Sequence, residues 1–216
     1  MNILVFGATG GSGRAVVARA LDAGHEVTAF VRDPSRMEAA PRLTVVAGDA
    51  TCADDVARAL AGHDAIVISL GDRPKPFDWL PGRRRAASSR VCEIGTRNIL
   101  AAMPSDAPPR IVVVSAFGVG DTRETAPWYH RLYLRLFMED LMADKERQET
   151  LLKKADPDFL IVQPVALTDA GESGRWTAST EGAIGRQQVS RGDLAAFIVD
   201  ELTEGRHRRE TVAFSG

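Results

Sequence analysis

The start of the chain constrains it more than any other segment. The apolar run Asn2-Ile3-Leu4-Val5-Phe6 passes straight into Gly7-Ala8-Thr9-Gly10-Gly11-Ser12-Gly13, and a helical pattern follows. A glycine at position 7 permits a tight turn, Gly10 lets backbone approach a bound group, and Gly13 permits close helix–strand packing. A helix opening at Gly11 would present free N–H groups and the positive end of its dipole to an anion. Thr9 and Ser12 add hydroxyls. A glycine-rich turn can serve packing alone. Here a strand precedes it, a helix follows and a second strand is expected at residues 26–31, so the turn is expected to hold the pyrophosphate of a dinucleotide.

Short apolar runs alternate with longer helical patterns along the remaining chain. Strands are expected at residues 2–6, 26–31, 43–47, 65–69, 110–115, 159–163 and 211–214, and helices at 11–23, 53–60, 87–103, 128–155 and 191–202. Runs such as Ile111-Val112-Val113-Val114 suit strands covered on both faces. This order implies an α/β fold. A single doubly wound, Rossmann-type domain over residues 1–216 is expected, mainly parallel and with helices on both faces. Within residues 128–155, Leu132, Leu136, Phe137 and Leu141 fall near helical spacing, which is expected to be a core-facing stripe.

Composition excludes several classes. A formal net charge of −2 over 216 residues argues against a general nucleic-acid or membrane-surface binder. No apolar stretch is long enough to span a bilayer, and the N-terminus lacks the pattern of a signal peptide. Cys52 and Cys92 are expected to be free thiols in a reducing cytoplasm, and His25, His63, His130 and His207 show no metal-ligand spacing. No metal site is expected.

Cofactor choice is read at the end of the second strand, in Val31-Arg32-Asp33-Pro34-Ser35-Arg36. A carboxylate there ordinarily binds the ribose hydroxyls of NAD. Arg32 takes that place, with Arg36 one turn later, and two guanidinium groups suit a 2′-phosphate. Asp33 precedes Pro34 and is expected to cap the following turn. NADP(H) is therefore expected over NAD(H). After the third strand come Asp49 and Ala50. The Asp49 carboxylate either meets an adenine amine or caps the helix near residue 53, and both readings stay open. Leu70 and Gly71 close the fourth strand and are expected beside the cofactor's ribose.

The segments GATGGSG, VRDPSR, GDA, LGDR, GTRNILAAM, VVVSAF and DFLIVQPVALTD run in order along almost the whole chain. Together they resemble the atypical short-chain dehydrogenase/reductase group, in particular the biliverdin-IXβ reductase/flavin reductase type, with NmrA-like sensors as wider kin. The resemblance implies that Ser115 sits near the nicotinamide, and that Pro164, Val165 and Ala166 pack against it and reach its carboxamide through backbone groups. The family's usual form has Arg before that proline, where this chain has Gln163. The Tyr-x-x-x-Lys pair of most short-chain reductases is absent: neither Tyr129 nor Tyr133 has Lys four residues on. Lys145 has Leu141 at the partner position. Ser115 and Lys145 are the catalytic candidates. Without a tyrosine acid, the implied chemistry is hydride transfer to a flat conjugated acceptor such as a flavin, a quinone or a bilin-like molecule, which needs little acid help. The alternative is a non-catalytic, NADP(H)-binding redox sensor.

Three stretches near residues 71–85, 116–127 and 164–185 follow strands and are expected to border the substrate site. Trp79, Phe117, Trp128 and Tyr129 offer stacking surfaces there, although for any one of them the commoner role is to close its loop onto the core. Arg73, Lys75, Arg83, Arg84 and Arg85 make the first loop basic. The expected partner is a small conjugated molecule, with no nucleic acid and no membrane. Monomer and dimer both remain open.

Overall fold

The apolar runs become strands and the periodic segments helices over residues 1–71 and 90–216, the part of the chain that this computed structural model describes. In order these are β1 (Asn2–Phe6), α1 (Gly11–Asp22), β2 (Glu26–Val31), β3 (Leu43–Ala47), α2 (Ala53–Leu60), β4 (Ala65–Ile68), α3 (Val91–Ala102), β5 (Arg110–Val114), α4 (Trp128–Phe137), α5 (Glu139–Ala155), β6 (Phe159–Pro164), β7 (Ala166–Thr168), β8 (Thr177–Ser179), β9 (Gln188–Ser190), α6 (Arg191–Glu204) and β10 (Glu210–Ser215).

Among the described residues, the main sheet has the order β3-β2-β1-β4-β5-β6-β10-β8. Its neighbours are parallel except β8, which runs antiparallel to β10. Strand order reverses between β1 and β4, which opens a crevice outside their carboxyl ends. Side chains alternate across the sheet. Ile3, Val5, Val112, Val114 and Val162 join the core with Val16 and Val17 of α1 and Leu194 and Ile198 of α6. Leu4, Phe6, Ile111, Val113 and Ile161 face the other way, against Val56 of α2, Ile99 of α3 and Leu152 of α5. All are buried, and each such side chain is worth about 1.5–3 kcal/mol relative to exposure.

Polar groups fix how the helices dock. Asp144 of α5 caps α3 from outside: its carboxylate accepts from the N–H groups of Cys92 and Glu93, both at 3.0 Å. One turn on, the Gln148 amide donates to the Thr96 hydroxyl at 2.8 Å. At the start of α6, Ser190 Oγ accepts from the Asp193 N–H. Asp193 in turn accepts from the Ser190 hydroxyl and from the N–H groups of Ser173 and Gly174. The far end of α6 carries Glu201, fully buried, which meets Arg110 of β5 and both the N–H and ring of His207.

Several sequence expectations are corrected. The single helix expected at 128–155 is two, broken at Met138, whose backbone (φ −131°, ψ 17°) is not helical. Residues 164–185 contain two short strands beyond those expected, β7 and β8. Leu132 and Leu136 do not face the core; they are 48% and 55% exposed. Helix α3 is described from Val91, after Arg90 in a left-handed conformation (φ 49°). Cys52 is exposed and Cys92 buried, and both are free thiols. Among the described residues no helix is long and apolar enough to cross a membrane, and no cluster of ligating side chains could hold a metal.

Candidate functional site

The glycine turn is forced by sterics as the sequence suggests. Gly7 has φ +78°, and a Cβ there would lie 2.3 Å from the Ser69 carbonyl oxygen at the end of β4. A Cβ on Gly13 would lie 2.2 Å from the Gly7 carbonyl oxygen, so α1 approaches the turn more closely than any larger residue allows. Helix α1 begins with no side-chain cap on its first N–H groups and no acidic residue in its first turn. Those donors therefore have no anionic partner within the helix, which is the condition for holding an external anion.

Arg191, the first residue of α6, stands beside this turn. A Cβ on Gly11 would lie 2.7 Å from its Nε, and its guanidinium pairs with Asp169 at 2.5 Å. The sequence offered no local signal for this residue. It arrives through the docking of α6 against α1.

A cavity of about 390 Å³ opens beside the turn, lined by Gly7, Thr9 and Gly10, by Arg32 and Arg36, by Asp49 and Ala50, and by Leu70 and Gly71. Nine of the residues proposed from sequence thus come together on one surface, contributed by the ends of β1, β2, β3 and β4. Gly11, Ser12 and Gly13 form the helix start behind it. Asp33 is engaged elsewhere. Its carboxylate accepts from the Ser35 hydroxyl at 2.6 Å and the Ser35 N–H at 3.1 Å, capping the 3-10 turn Pro34–Arg36. These hydrogen bonds, with help from Arg36, hold Asp33 below the usual carboxylate range. Asp49 does not cap α2, whose N-cap is Cys52. The Asp49 carboxylate accepts from the Thr51 N–H and hydroxyl, both at 2.8 Å, and these bonds lower its pKa, with Arg32 adding a smaller effect.

A second group of candidate residues lies at the ends of β5 and β6, against α5. Strand alternation turns Ser115 and Gln163 towards α5. Ser115 Oγ donates to Glu149 Oε1 at 2.5 Å, and Gln163 Nε2 donates to the same oxygen at 2.8 Å and to the Val119 carbonyl at 2.9 Å. Glu149 is a residue that sequence reasoning missed. Burial raises its pKa, and the hydrogen bonds from Ser115 and Gln163 offset this only in part. One turn earlier on α5, Lys145 is buried, with Nζ donating to the carbonyls of Val114 at 2.8 Å and Leu70 at 3.3 Å. Lys145 therefore links the ends of β4 and β5 at the sheet edge where the cavity ends.

Other candidates separate. Phe117 is 3% exposed and belongs to the core on the α1/α6 side, so it offers no stacking face. The Pro164 carbonyl accepts from the Phe117 N–H at 3.0 Å, and the Val165 N–H donates to the Phe214 carbonyl at 3.0 Å, so these backbone groups are engaged within the fold. Ala166 begins β7 and pairs with Gln188. Trp128 is 70% exposed and meets Tyr129 edge-on at 6.1 Å. Arg73, Lys75, Trp79 and Arg83, Arg84 and Arg85 lie outside the described residues.

Comparison with known proteins agrees with this geometry. The model of a family described as NAD(P)H-binding matches residues 7–205. Reductase pytE of Aspergillus terreus is 26% identical over 242 residues, covering 94% of this chain and 91% of that protein. A 3-beta-hydroxysteroid dehydrogenase of Mycolicibacterium neoaurum is 48% identical over 123 residues, but these are 54% of this chain and only 32% of that protein. Among solved structures, ChuY, an anaerobillin reductase from Escherichia coli O157:H7, superposes with a TM-score of 0.78 at 20% identity, covering 100% of this chain and 97% of that one, a likeness of fold.

Proposed function

The chain belongs to the NAD(P)H-binding family, and from that premise we propose that it is an NADPH-dependent reductase acting on a flat conjugated acceptor, a flavin, a quinone or a bilin-like molecule. The observation that carries the choice of cofactor is the rim of the 390 Å³ cavity: Arg32 and Arg36 line it, while Asp33 is held by Ser35 and does not. Two guanidinium groups favour a 2′-phosphate, and no free carboxylate at the end of β2 competes for ribose hydroxyls.

The residues present fit a dinucleotide. The uncapped start of α1, with Gly10 allowing backbone approach, would take the pyrophosphate; Arg191 adds a positive charge beside it. Asp49 and Ala50 would meet the adenine, and Leu70 and Gly71 the ribose. Bound in this way, the reduced nicotinamide supplies a hydride. Lys145 and Ser115, at the carboxyl ends of β4 and β5, would orient the reacting half and hold a proton nearby. Leu141 takes the place of a tyrosine acid, in keeping with an acceptor whose charge is delocalised. The two reductases named among the comparisons support this class of chemistry.

The test is direct. The cofactor-free protein is titrated with NADPH and NADH, and NADPH oxidation is followed with FMN, a quinone and biliverdin. Preference for NADPH and turnover of at least one acceptor are expected. Tight binding with no turnover across the panel would reject the reductase and favour a redox sensor.

A further inference from the structure

We propose that Glu149 is the proton reservoir of the reductase, delivering through Ser115 to the reduced acceptor; this rests on the reductase reading above. Glu149 is 2% exposed, yet it has no cationic hydrogen-bond partner: its carboxyl meets a hydroxyl and an amide. Gln163 has both amide hydrogens in use, on Glu149 Oε1 and the Val119 carbonyl, and it brings no charge. A buried carboxyl in a neutral setting keeps its proton.

The geometry makes a two-sided relay. Oε1 faces Ser115, whose residue follows β5 at the carboxyl edge where Lys145 grips the Val114 carbonyl. Oε2 is buried without a hydrogen-bond partner. It points at Gly120, where a Cβ would lie 2.5 Å away. Gly120 and Glu149 both line a second cavity of about 340 Å³, bordered by Asp121, Glu146, Lys153 and Lys154. Glycine at 120 thus puts no side chain of its own between Oε2 and that cavity. The charged groups that bear on Glu149 are Lys153 and Asp121; Glu146 and Lys154 share the cavity and Lys145 lies one turn away on α5. Lys153 is paired with Asp121 at 2.7 Å, so its charge is partly answered. Burial drives the Glu149 pKa upward, Ser115, Gln163 and Lys153 lower it, and Asp121 raises it again; the net direction is up.

The proton balance closes. An acceptor that has gained a hydride holds the electron pair and one negative charge. The Ser115 hydroxyl, which donates to Oε1 at rest, turns to the acceptor and receives a hydrogen bond from the protonated Oε1 in exchange; its O–H bond then breaks and its proton bonds to the acceptor. Ser115 Oγ takes the proton of the Glu149 carboxyl from Oε1, and the carboxylate left behind takes a proton from solvent in the second cavity at Oε2. The acceptor has then gained a hydride and a proton, solvent has lost a proton, Ser115 is as it began, and a half-turn of the Glu149 carboxyl brings its new proton from Oε2 back to Oε1.

The first arm of the test uses the cofactor-free protein. Infrared spectroscopy at pH 7 should show the C=O band of a protonated carboxyl that is lost in E149Q and shifted in S115A, since Ser115 bonds to that group. The second arm follows NADPH and FMN turnover against pH. E149Q should keep its thermal midpoint and NADPH affinity, lose about 10²–10⁴-fold in kcat, and lose the alkaline limb of the wild-type profile. Should E149Q fail to fold, the band shift and slowed turnover of S115A carry the same question. Absence of the band, or an E149Q with wild-type kcat and an unchanged pH profile, would overturn the relay alone. Failure of the wild type to reduce any acceptor would overturn the reductase reading and the relay together.

Discussion

Replacing Gly13 by alanine sets two effects against each other. Alanine inside a helix is favoured over glycine by up to about 1 kcal/mol. The added methyl, however, would sit 2.2 Å from the Gly7 oxygen, 2.9 Å from its carbonyl carbon and 3.0 Å from Ala8 Cα. Ordinary contact begins at 3.4 Å, so α1 must retreat by about 1 Å. Every one of these neighbours is backbone, and no rotamer change can relieve them. Overpacking of this kind typically costs about 1–3 kcal/mol. The expected net loss is roughly 1–2 kcal/mol, with the first turn of α1 displaced from the anion site. Urea unfolding should show a lower midpoint at unchanged slope, and NADPH affinity should fall at least about tenfold, since 1.4 kcal/mol is a factor of ten. Gly62 is the control: φ is +81° and nothing lies within 4 Å of its missing Cβ. Gly62→Ala should cost about 1–2 kcal/mol through backbone strain alone and leave NADPH affinity untouched. A Gly13→Ala protein as stable as wild type with unchanged affinity, or a Gly62→Ala protein equally impaired in binding, would refute the steric argument.

Arg32→Asp should weaken NADPH by roughly 10–150-fold, the worth of one charge-assisted hydrogen bond of about 1.5–3 kcal/mol, and leave NADH nearly unchanged; equal losses in a calorimetric titration of both would contradict the 2′-phosphate assignment. Lys145→Met removes the ammonium donor from the Val114 carbonyl and leaves the Leu70 carbonyl with the Cys92 thiol, so a loss of about 1–3 kcal/mol in unfolding free energy is expected, together with weaker NADPH binding; wild-type values for both would remove Lys145 from the site. Acid stability should depend on Asp193 and Glu201. Burial raises the pKa of each, but hydrogen bonds from Ser190, Ser173 and Gly174 to Asp193, and from His207 and Arg206 to Glu201, outweigh it and leave both lowered. A carboxyl with a lowered folded pKa stabilises above its unfolded pKa, and that contribution fades as pH falls through the folded value. Asp193→Asn should therefore flatten the fall in thermal midpoint below about pH 5, and a profile parallel to wild type would show that Asp193 takes no part. Glu149 has the opposite sign: its raised pKa gives stability that is complete below the unfolded value and lost as pH rises through the folded one.

What could be read from the sequence follows the range of the interaction concerned. The Gly7–Gly13 turn, the Asp33 cap and the positions of Arg32 and Arg36 depend on neighbours a few residues away; the turn and the two arginines meet at one cavity, and Asp33 is held by Ser35. Arg191 at Gly11 and Asp144 at the head of α3 depend on which helices dock together, and no local pattern announces either. Phe117 illustrates the converse error. An aromatic after a strand looked available to a ligand, but its N–H bonds the Pro164 carbonyl and its ring turns into the core. The stripe Leu132, Leu136 has core spacing yet stays exposed, because periodicity tells that residues share a face and not what covers it. The break at Met138 has neither proline nor glycine to mark it. The three-residue strands β7, β8 and β9 are too short to show alternation.

Helix α5 is held against sliding. Within nine residues it buries Asp144, Lys145, Gln148, Glu149 and Leu152, and the four polar ones tie it to three parts of the fold: Asp144 and Gln148 to α3, Lys145 to the ends of β4 and β5, and Glu149 to Ser115 and Gln163. An apolar helix face can slide by a fraction of a turn at modest cost, since one greasy contact replaces another. This one cannot creep. Any slip would strand a carboxylate, an ammonium and an amide at once in a dry interior, where each unmade hydrogen bond costs about 1–3 kcal/mol. The bonds that hold α5 thus act as detents, and they set the sheet edge, the head of α3 and the Ser115 hydroxyl to a common alignment.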